Sequence, residues 1–388
     1  MMSSKKLREY RRHARAYRII RPIIAPLLRC LFRLEVQPAP ALEGPYLVYA
    51  NHNCDLDPVF VQLSFKDMLY FVASEHIFRV GLASRLLIYL FDPIPRLKGS
   101  TDMGTVRELL RRLRDGKSIC IFAEGNRSFN GLTGPIPPSI GKLAKACKVP
   151  LVTYKLEGGY LTTPRWAYTL RRGRMRGYVV NVYTPEELEK MSADQVNEAI
   201  ERDLFEDAYA RQAEEKIPFQ GRRLAEGLET ALFICPVCRQ IGQLKSEGSM
   251  FFCTCGLKGS YDEFGYLHGA PYLTITEWDA WQNRRLAEIA HSLGDEPVFT
   301  DPGAVLSLIP GDHRTEEISA GDGALVMYRD RIVCGTHVFS IEEISDMAVY
   351  GRGNIAFTSR GKHYTITAGR AFCGRKYLEL YDQLKSMR

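Results

Sequence analysis

Residues 46–61 read YLVYANHNCDLDPVFV, and this stretch indicates how the first part of the chain folds. Residues 46–50 are apolar and rich in aromatic side chains, which predicts a short buried strand. The Asp57-Pro58 pair predicts the start of a helix, with Asp57 as its N-cap and Pro58 at its first helical position. We therefore expect His52 in a loop between a strand and a helix, where functional side chains are commonly displayed.

The spacing of His52 and Asp57 suggests a general base. His52 lies five residues before Asp57, so that one ring nitrogen can donate a hydrogen bond to the carboxylate. That bond would fix the imidazole tautomer and leave the other nitrogen able to take a proton from a hydroxyl. The alternative is a loop histidine beside an aspartate that only caps a helix, and the spacing alone does not separate the two.

A second stretch, FAEGNRS at residues 122–128, suggests a site for a phosphate group. It follows residues 118–122, an apolar run that predicts another buried strand. Gly125 allows a tight backbone path, and Arg127 offers a planar guanidinium suited to a phosphate monoester. Glu124 is a candidate to orient Arg127 or to hold a substrate hydroxyl. The alternative is a surface turn stabilised by an ordinary ion pair.

In this order and at this separation, the two stretches resemble the first and third sequence blocks of the lysophosphatidate acyltransferase family (1-acylglycerol-3-phosphate O-acyltransferases). Residues 91–96, FDPIPR, resemble the second block, where Arg96 matches an arginine that grips the acceptor phosphate and Lys98 is a further candidate. Residues 149–154, VPLVTY, resemble the fourth block, a hydrophobic strand. Asn126 departs from the threonine that the family commonly carries there.

The resemblance implies a reaction and a set of roles. A fatty acyl group would move from acyl-CoA or an acyl carrier protein to the hydroxyl of a lysophosphatidate, giving phosphatidate, with no catalytic cofactor. His52 and Asp57 would be catalytic. The residues expected to bind the acceptor are Arg96, Glu124, Gly125 and Arg127. Two alternatives stay open: another glycerol-phosphate or lysophospholipid acceptor, or a non-catalytic regulator associated with lipid or nucleic acid.

The first forty residues carry an unusual concentration of positive charge. They contain ten lysines and arginines against two glutamates, a local charge of +8, whereas the whole chain carries +7. Residues 19–32 add apolar side chains, but Arg21, Arg29 and two prolines interrupt them. This pattern predicts an amphipathic segment at residues 1–34 that lies on an anionic membrane surface, on its cytoplasmic face. The alternatives are a helix packed on the domain and, less favoured, a nucleic-acid-binding arm.

Four cysteines form two close pairs in the middle of the chain: Cys235 with Cys238, and Cys253 with Cys255. Cysteine pairs on two tight turns can place four thiolates around one zinc ion, so we expect a structural zinc site. Two disulfides are the alternative. The other six of the ten cysteines are scattered, which favours a reducing compartment and therefore zinc.

With 388 residues the chain is expected to form more than one domain. The predicted fold is α/β: an acyltransferase domain with a central mixed sheet flanked by helices, then a zinc ribbon and a small β-rich domain resembling a pleckstrin-homology (PH) domain. The β-rich domain is expected from six short strand-like runs and a final amphipathic helix. The expected domains are residues 1–34, 35–215, 230–270 and 300–388.

Overall fold

The computed structural model of the protein describes residues 4–79, 81–97, 103–310 and 317–387. The chain divides into two compact units. The first unit comprises the described parts of Met1–Arg96, Asp102–Pro164 and Leu170–Gln220. The second comprises Arg165–Thr169 and the described parts of Leu97–Thr101 and Gly221–Arg388.

A seven-stranded mixed sheet forms the centre of the first unit. Its strands, in chain order, are β1 (Leu34–Val36), β2 (Leu47–Ala50), β3 (Tyr70–Ser74), β4 (Ile94–Arg96), β5 (Ile119–Phe122), β6 (Leu151–Glu157) and β7 (Met175–Tyr183). In space they follow the order β1-β7-β6-β2-β5-β3-β4. Among the described pairings of this sheet, that of β6 with β7 is antiparallel and the others are parallel, so the predicted mixed sheet is confirmed.

Helices cover this sheet on both faces. They are α1 (Ser4–Phe32), α2 (Asp57–Ser64), α3 (Gly81–Phe91), α4 (Met103–Arg114), α5 (Ser139–Cys147), α6 (Gly159–Thr162), α7 (Pro185–Lys190), α8 (Ala193–Leu204) and α9 (Ala208–Glu215). Leu47 and Tyr49 of β2 belong to a core that includes residues of α4, α5 and α8. Val48 and Ala50 belong to a second core with residues of α1 and α2. This is why β2 is apolar on both faces.

One face of the helix α1 packs against the rest of the first unit. Tyr10, His13 and Tyr17 are buried, and the Tyr17 hydroxyl donates to the carbonyl oxygens of Gln62 and Phe65 at 2.8 Å each. The predicted amphipathic helix is therefore present, and its inner face carries aromatic side chains with polar ends. Across the described residues, no helix combines the length and the apolar character needed to cross a bilayer.

The second unit begins with a four-stranded antiparallel sheet and a long helix. The strands are β8 (Leu244–Glu247), β9 (Met250–Cys253), β10 (Lys258–Tyr261) and β11 (Leu267–His268), and the helix is α10 (Ile275–Ser292). Trp278 and Gln282 of α10 bond to the backbone of residues 231–234, immediately before Cys235. These bonds join the cysteine-containing segment to the core of the unit.

A seven-stranded antiparallel sheet and a final helix complete the second unit. They are β12 (Phe299–Ile309), β13 (Ile318–Met327), β14 (Arg331–Cys334), β15 (His337–Ser340), β16 (Ile344–Tyr350), β17 (Asn354–Ser359), β18 (Lys362–Thr367) and α11 (Gly374–Ser386). The sequence predicts six of these strands and misses β12. Pro302 and Gly303 lie within that strand at a register shift between Asp301 and Ala304. A Pro-Gly pair in a sequence is typical of a turn, which is why the strand is missed.

Candidate functional site

The strand order brings the two motif-bearing loops together. Strands β2 and β5 are parallel neighbours, with Ala50 opposite Phe122, so the residues that follow both strands lie at the same edge of the sheet. The backbone N–H of His52 donates to Glu124 Oε1 at 2.6 Å, and Ser128 N donates to the carbonyl oxygen of His52 at 2.9 Å. The first and third sequence blocks therefore form one site.

His52 and Asp57 form the hydrogen-bonded pair that their spacing predicts. His52 Nδ1 lies 2.9 Å from Asp57 Oδ2. The aspartate side chain is fully buried, while 20% of the histidine side chain is exposed. Because the buried carboxylate accepts a hydrogen bond from Nδ1–H, the neutral imidazole carries its lone pair on Nε2. The pair can therefore accept a proton from a substrate hydroxyl.

The Asp57 carboxylate accepts hydrogen bonds from the loop before it and does not cap α2. Its Oδ2 also accepts from the backbone N–H groups of Asn53 at 2.6 Å and Cys54 at 2.8 Å, and the Cys54 thiol donates to Oδ1 at 3.0 Å. The helix begins at Asp57, with Leu56 as an N-cap that makes no side-chain capping bond. The predicted N-cap position is therefore wrong by one residue, because the carboxylate is used by the His52 loop.

The imidazole of His52 rests on an aromatic ring. It stacks on Phe122, with ring centroids 4.2 Å apart and an interplanar angle of 18°. Phe122 stacks in turn with Phe71, at 6.3 Å between centroids. The stacking and the Asp57 bond together restrict rotation of the ring, so the position of Nε2 is defined before any substrate binds.

Glu124 is a buried carboxylate that connects two loops. Besides the His52 N–H, it accepts the N–H of Gly134 on Oε2 at 2.5 Å. Burial raises its pKa to about 8, although the N–H groups of Gly134 and His52 act in the opposite direction. These bonds support a role in holding the loop that carries His52. The predicted role of Glu124 in holding a substrate hydroxyl stays a prediction.

Two arginines lie at the turn that follows β5. Gly125 has φ of +69°, and a Cβ placed on it would lie 3.1 Å from a terminal nitrogen of Arg96, so the guanidinium covers this glycine closely. Arg127 Nη1 donates to Asp55 Oδ2 at 3.0 Å, and the Asp55 side chain is 79% exposed. The structure therefore brings Arg96, Gly125 and Arg127 into one region, whereas Lys98 lies outside the described residues.

An apolar cavity of about 380 Å³ lies within the first unit beside the His52 loop. Its walls come from α1, α2, α3 and β3, and the lining includes Asp55, Val59, Phe71, Leu87 and Phe91. Phe71 connects it to His52 through the ring of Phe122. The cavity and the Asp55 contact were not predicted from the sequence, because the wall residues come from four separate elements and share no local motif.

The four predicted metal-ligating cysteines meet in the second unit. The Sγ atoms of Cys235, Cys238, Cys253 and Cys255 all lie within 4.8 Å of one another. Cys235 lies 3.7 Å from Cys255, and Cys238 lies 3.7 Å from Cys253, measured between Sγ atoms. A disulfide requires about 2.05 Å between sulfurs, so this arrangement is a group of thiols that could bind a metal ion.

Comparisons with known proteins agree with the site. Residues 32–157 match the family model described as Acyltransferase. Over 120 residues the chain is 24% identical to the chloroplastic 1-acyl-sn-glycerol-3-phosphate acyltransferase BAT2 of Brassica napus, a match over 31% of this chain and 35% of that relative. The chain therefore spans about a third of the length of this curated relative.

A solved structure is also similar. It is the 1-acyl-sn-glycerophosphate (LPA) acyltransferase PlsC from Thermotoga maritima, with a TM-score of 0.42 and 19% identity over 55% of this chain and 84% of that chain. The family predicted from the sequence blocks is confirmed by the family model and the curated relative. Residues 32–157 therefore form an acyltransferase domain that is similar to the 1-acyl-sn-glycerol-3-phosphate acyltransferases.

Proposed function

We propose that the protein transfers a fatty acyl group from an acyl thioester, acyl-CoA or acyl carrier protein, to the hydroxyl of a lysophosphatidate. The observation that carries this proposal is the hydrogen-bonded pair of His52 and the buried Asp57. Beside this pair lie the turn that carries Arg127, which Arg96 covers, and an apolar cavity. Each part matches one feature of the reactants: a hydroxyl to deprotonate, a phosphate monoester to hold, and a hydrocarbon chain to bury.

In the proposed reaction, His52 Nε2 removes the proton from the acceptor hydroxyl as its oxygen attacks the thioester carbonyl. Asp57 stabilises the imidazolium that forms, because its carboxylate already accepts a hydrogen bond from Nδ1–H, with 2.9 Å between Nδ1 and Oδ2. The tetrahedral intermediate collapses with cleavage of the carbon–sulfur bond, and the imidazolium returns its proton to the departing thiolate. Transfer is direct, because Cys54 is fully buried and its thiol donates to Asp57.

The acceptor phosphate is held by Arg127 with Arg96. The Arg127 side chain is 10% exposed, and its observed partner Asp55 is largely in solvent. Ion pairs with such exposed partners contribute little to stability, so a phosphate dianion can replace the carboxylate. A guanidinium can bind two phosphate oxygens at once, which adds geometric selectivity to charge.

Arg127→Lys should raise KM for lysophosphatidate by about tenfold while changing KM for the acyl thioester less than twofold. Lysine keeps the charge but loses the paired N–H groups, a loss on the order of 1–2 kcal/mol for a charge-assisted contact. Steady-state kinetics with each substrate varied separately measures the two constants. Arg202→Lys is the control, since Arg202 is 68% exposed and lies on α8. An unchanged acceptor KM and kcat in Arg127→Lys would remove this residue from the phosphate site.

The apolar cavity is proposed to hold the acyl chain of the thioester. Its walls are formed mainly by aliphatic and aromatic side chains, and its link through Phe71 and Phe122 leads towards His52. Burial of hydrocarbon contributes about 0.8 kcal/mol per methylene, so cavity length affects which chain is preferred.

Leu87→Trp should shift the preference towards shorter acyl chains, because the larger side chain occupies part of the cavity. Competition between acyl thioesters of different length, followed by product mass spectrometry, measures this preference. The matched control is Leu86→Trp, since the neighbouring Leu86 is 59% exposed and does not line the cavity. Identical chain-length profiles for the two variants would exclude this cavity as the acyl site.

We also propose that α1 lies on an anionic membrane surface with its outer side. Arg11, Arg15, Ile19, Ile23 and Leu27 recur every four residues and are exposed, so cations and then apolar side chains follow one face of the helix. The three apolar members are 60%, 67% and 62% exposed. The helix α3, which contacts α1, also exposes Leu82 and Leu86. Cations near an anionic leaflet contribute about 1 kcal/mol each, and apolar burial adds to this.

Replacing Ile19, Ile23 and Leu27 together by glutamine should weaken binding to anionic vesicles by about 100-fold, because the three side chains contribute roughly 1 kcal/mol each on burial. Binding that persists in the intact protein at high salt should be lost, since hydrocarbon burial is not screened by ions. Vesicle sedimentation across a salt series measures both effects. Leu273→Gln with Val338→Gln is the control, exposed apolar residues of the second unit. Equal sedimentation of all three proteins would assign membrane contact elsewhere.

The metal bound by the four cysteines is proposed to be a structural zinc ion, in a ribbon formed by residues 230–270. Zinc–sulfur bonds of about 2.3 Å in a tetrahedron place sulfurs about 3.8 Å apart, close to the 3.7 Å observed for two of the pairs. Four protein ligands leave no open position, so the ion stabilises the fold. The antiparallel strands followed by α11 support a PH-like fold for residues 300–388, which by itself specifies no ligand.

A further inference from the structure

Below the His52 loop lies a third buried carboxylate, Glu206, which follows α8 and lies outside the segment matched by the family model. Its side chain is 4% exposed. Glu206 Oε2 accepts from Asn53 Nδ2 at 2.7 Å and from Asn51 Nδ2 at 3.3 Å. The two asparagines flank His52, so Glu206 holds the loop from the side opposite to its exposed surface.

The asparagine amides have only one orientation that satisfies their neighbours. Each Nδ2 also donates to the carbonyl oxygen of Leu156, at 2.8 Å for Asn51 and 2.9 Å for Asn53. Asn51 Oδ1 accepts the N–H of Leu156 at 2.7 Å. Since Glu206 and the Leu156 carbonyl both accept, each amide must direct its nitrogen towards them. The loop is therefore attached to β6 and to Glu206 by a directional network.

The other oxygen of Glu206 is also occupied by donors. Oε1 accepts from Gly158 N at 3.2 Å and from Arg211, at 3.2 Å for Nε and 3.1 Å for Nη2. The Glu206 backbone exchanges bonds with Thr133, the residue before Gly134, which donates to Glu124. Glu206 and Glu124 therefore hold the two sides of the His52 loop through one connected set of bonds.

We infer that Glu206 is a positioning residue for the proposed acyl transfer, acting on His52 through Asn51 and Asn53. This inference rests on the proposed function. In the hydrogen bonds described above, both side-chain oxygens of Glu206 accept, and all of their partners are donors. A glutamine at this position would therefore direct its NH₂ group at another donor and push the loop away. A displacement of the His52 ring by about 1 Å can reduce the rate of the chemical step by about 100-fold. Substrate binding need not weaken, because Glu206 does not contact the proposed substrate sites.

Glu206→Gln should lower kcat by about 10- to 100-fold while both KM values change less than threefold. Asp203→Asn is the matched control. Asp203, near the end of α8, is also buried, but its carboxylate accepts from Thr153, Asn181 and Tyr183 rather than from the His52 loop. This variant should lose stability and keep its kcat. An unchanged kcat in Glu206→Gln, or the same loss of kcat in both variants, would overturn the inference.

Asn53→Ala gives a milder route to the same contact if Glu206→Gln does not fold. It should also lower kcat with little change in KM, and the double variant should lose less than the product of the two single losses, because both changes interrupt one path. Independent, multiplicative effects would contradict action through Asn53.

A readout without turnover separates this inference from the proposed function. Diethyl pyrocarbonate modifies exposed imidazoles, and peptide mass spectrometry measures the rate at which His52 is modified. A loosened ring should react several-fold faster in Glu206→Gln than in Asp203→Asn, whether or not lysophosphatidate is the acceptor. Equal rates of His52 modification in the two variants would reject the positioning role. Absence of acyl transfer in the protein without substitutions would reject only the proposed function.

Discussion

His52→Ala should lower kcat for acyl transfer by about 100- to 10,000-fold, the contribution of a positioned general base. The change removes the only side chain that we place within reach of the acceptor hydroxyl as a base. It should cost little stability, since the ring lies at the surface end of β2 and is partly exposed. Steady-state turnover and the unfolding midpoint measure the two quantities. Near-normal turnover would reject the proposed mechanism.

The second unit provides a matched control for this substitution. His268 Nε2 lies 2.7 Å from Asp262 Oδ2, but here 54% of the histidine side chain and 29% of the aspartate side chain are exposed. The pair is therefore chemically similar to His52–Asp57 without its burial or its surroundings. His268→Ala should keep full activity, and a comparable loss would mean that removal of a histidine affects the protein non-specifically.

Cys235→Ser with Cys238→Ser should release one zinc ion per chain and lower the unfolding midpoint of the second unit by on the order of 10 °C or more. Structural zinc contributes a large share of the folding free energy of small metal-binding modules. Phe233 and Ile234, next to Cys235, belong to the core that α10, the seven-stranded sheet and α11 share. Loss of the ion should therefore increase hydrogen exchange at residues 233–260 and in the strands around this core.

Elemental analysis of protein prepared without chelator measures the zinc content directly. Cys30→Ser is the control, because Cys30 is an exposed thiol on α1. It should leave both the zinc content and the exchange pattern unchanged. Metal-free protein with an unaltered unfolding midpoint would contradict the zinc assignment.

The elements around the site could be predicted because their local signals are strong. The apolar runs before His52 and before Glu124 form β2 and β5. The contact between His52 N and Glu124 joins residues 72 positions apart. It depends on the pairing of β2 with β5, and local periodicity does not specify which strands pair.

Two further features of the first unit depended on distant contacts and were not predicted. Glu206 is 153 positions from Asn53, and nothing in the sequence around residue 206 indicates a partner there. The inner face of α1 carries Tyr10, His13 and Tyr17, whose polar ends suggest exposure in a basic segment. They are buried because their polar atoms find partners, as in the contact of His13 Nδ1 with the Tyr70 hydroxyl at 3.2 Å.

The most direct test of the account is mass spectrometry of the lipids formed when the purified protein is given lysophosphatidate and a long-chain acyl thioester. We expect phosphatidate that carries one additional acyl chain, with its formation strongly reduced in His52→Ala and unchanged in His268→Ala. A panel with glycerol 3-phosphate and other lysophospholipids, each with acyl-CoA and with acyl carrier protein, identifies the acceptor and the donor. Product from another acceptor alone would contradict the lysophosphatidate assignment, and no acylated product from any combination would contradict the proposed function itself.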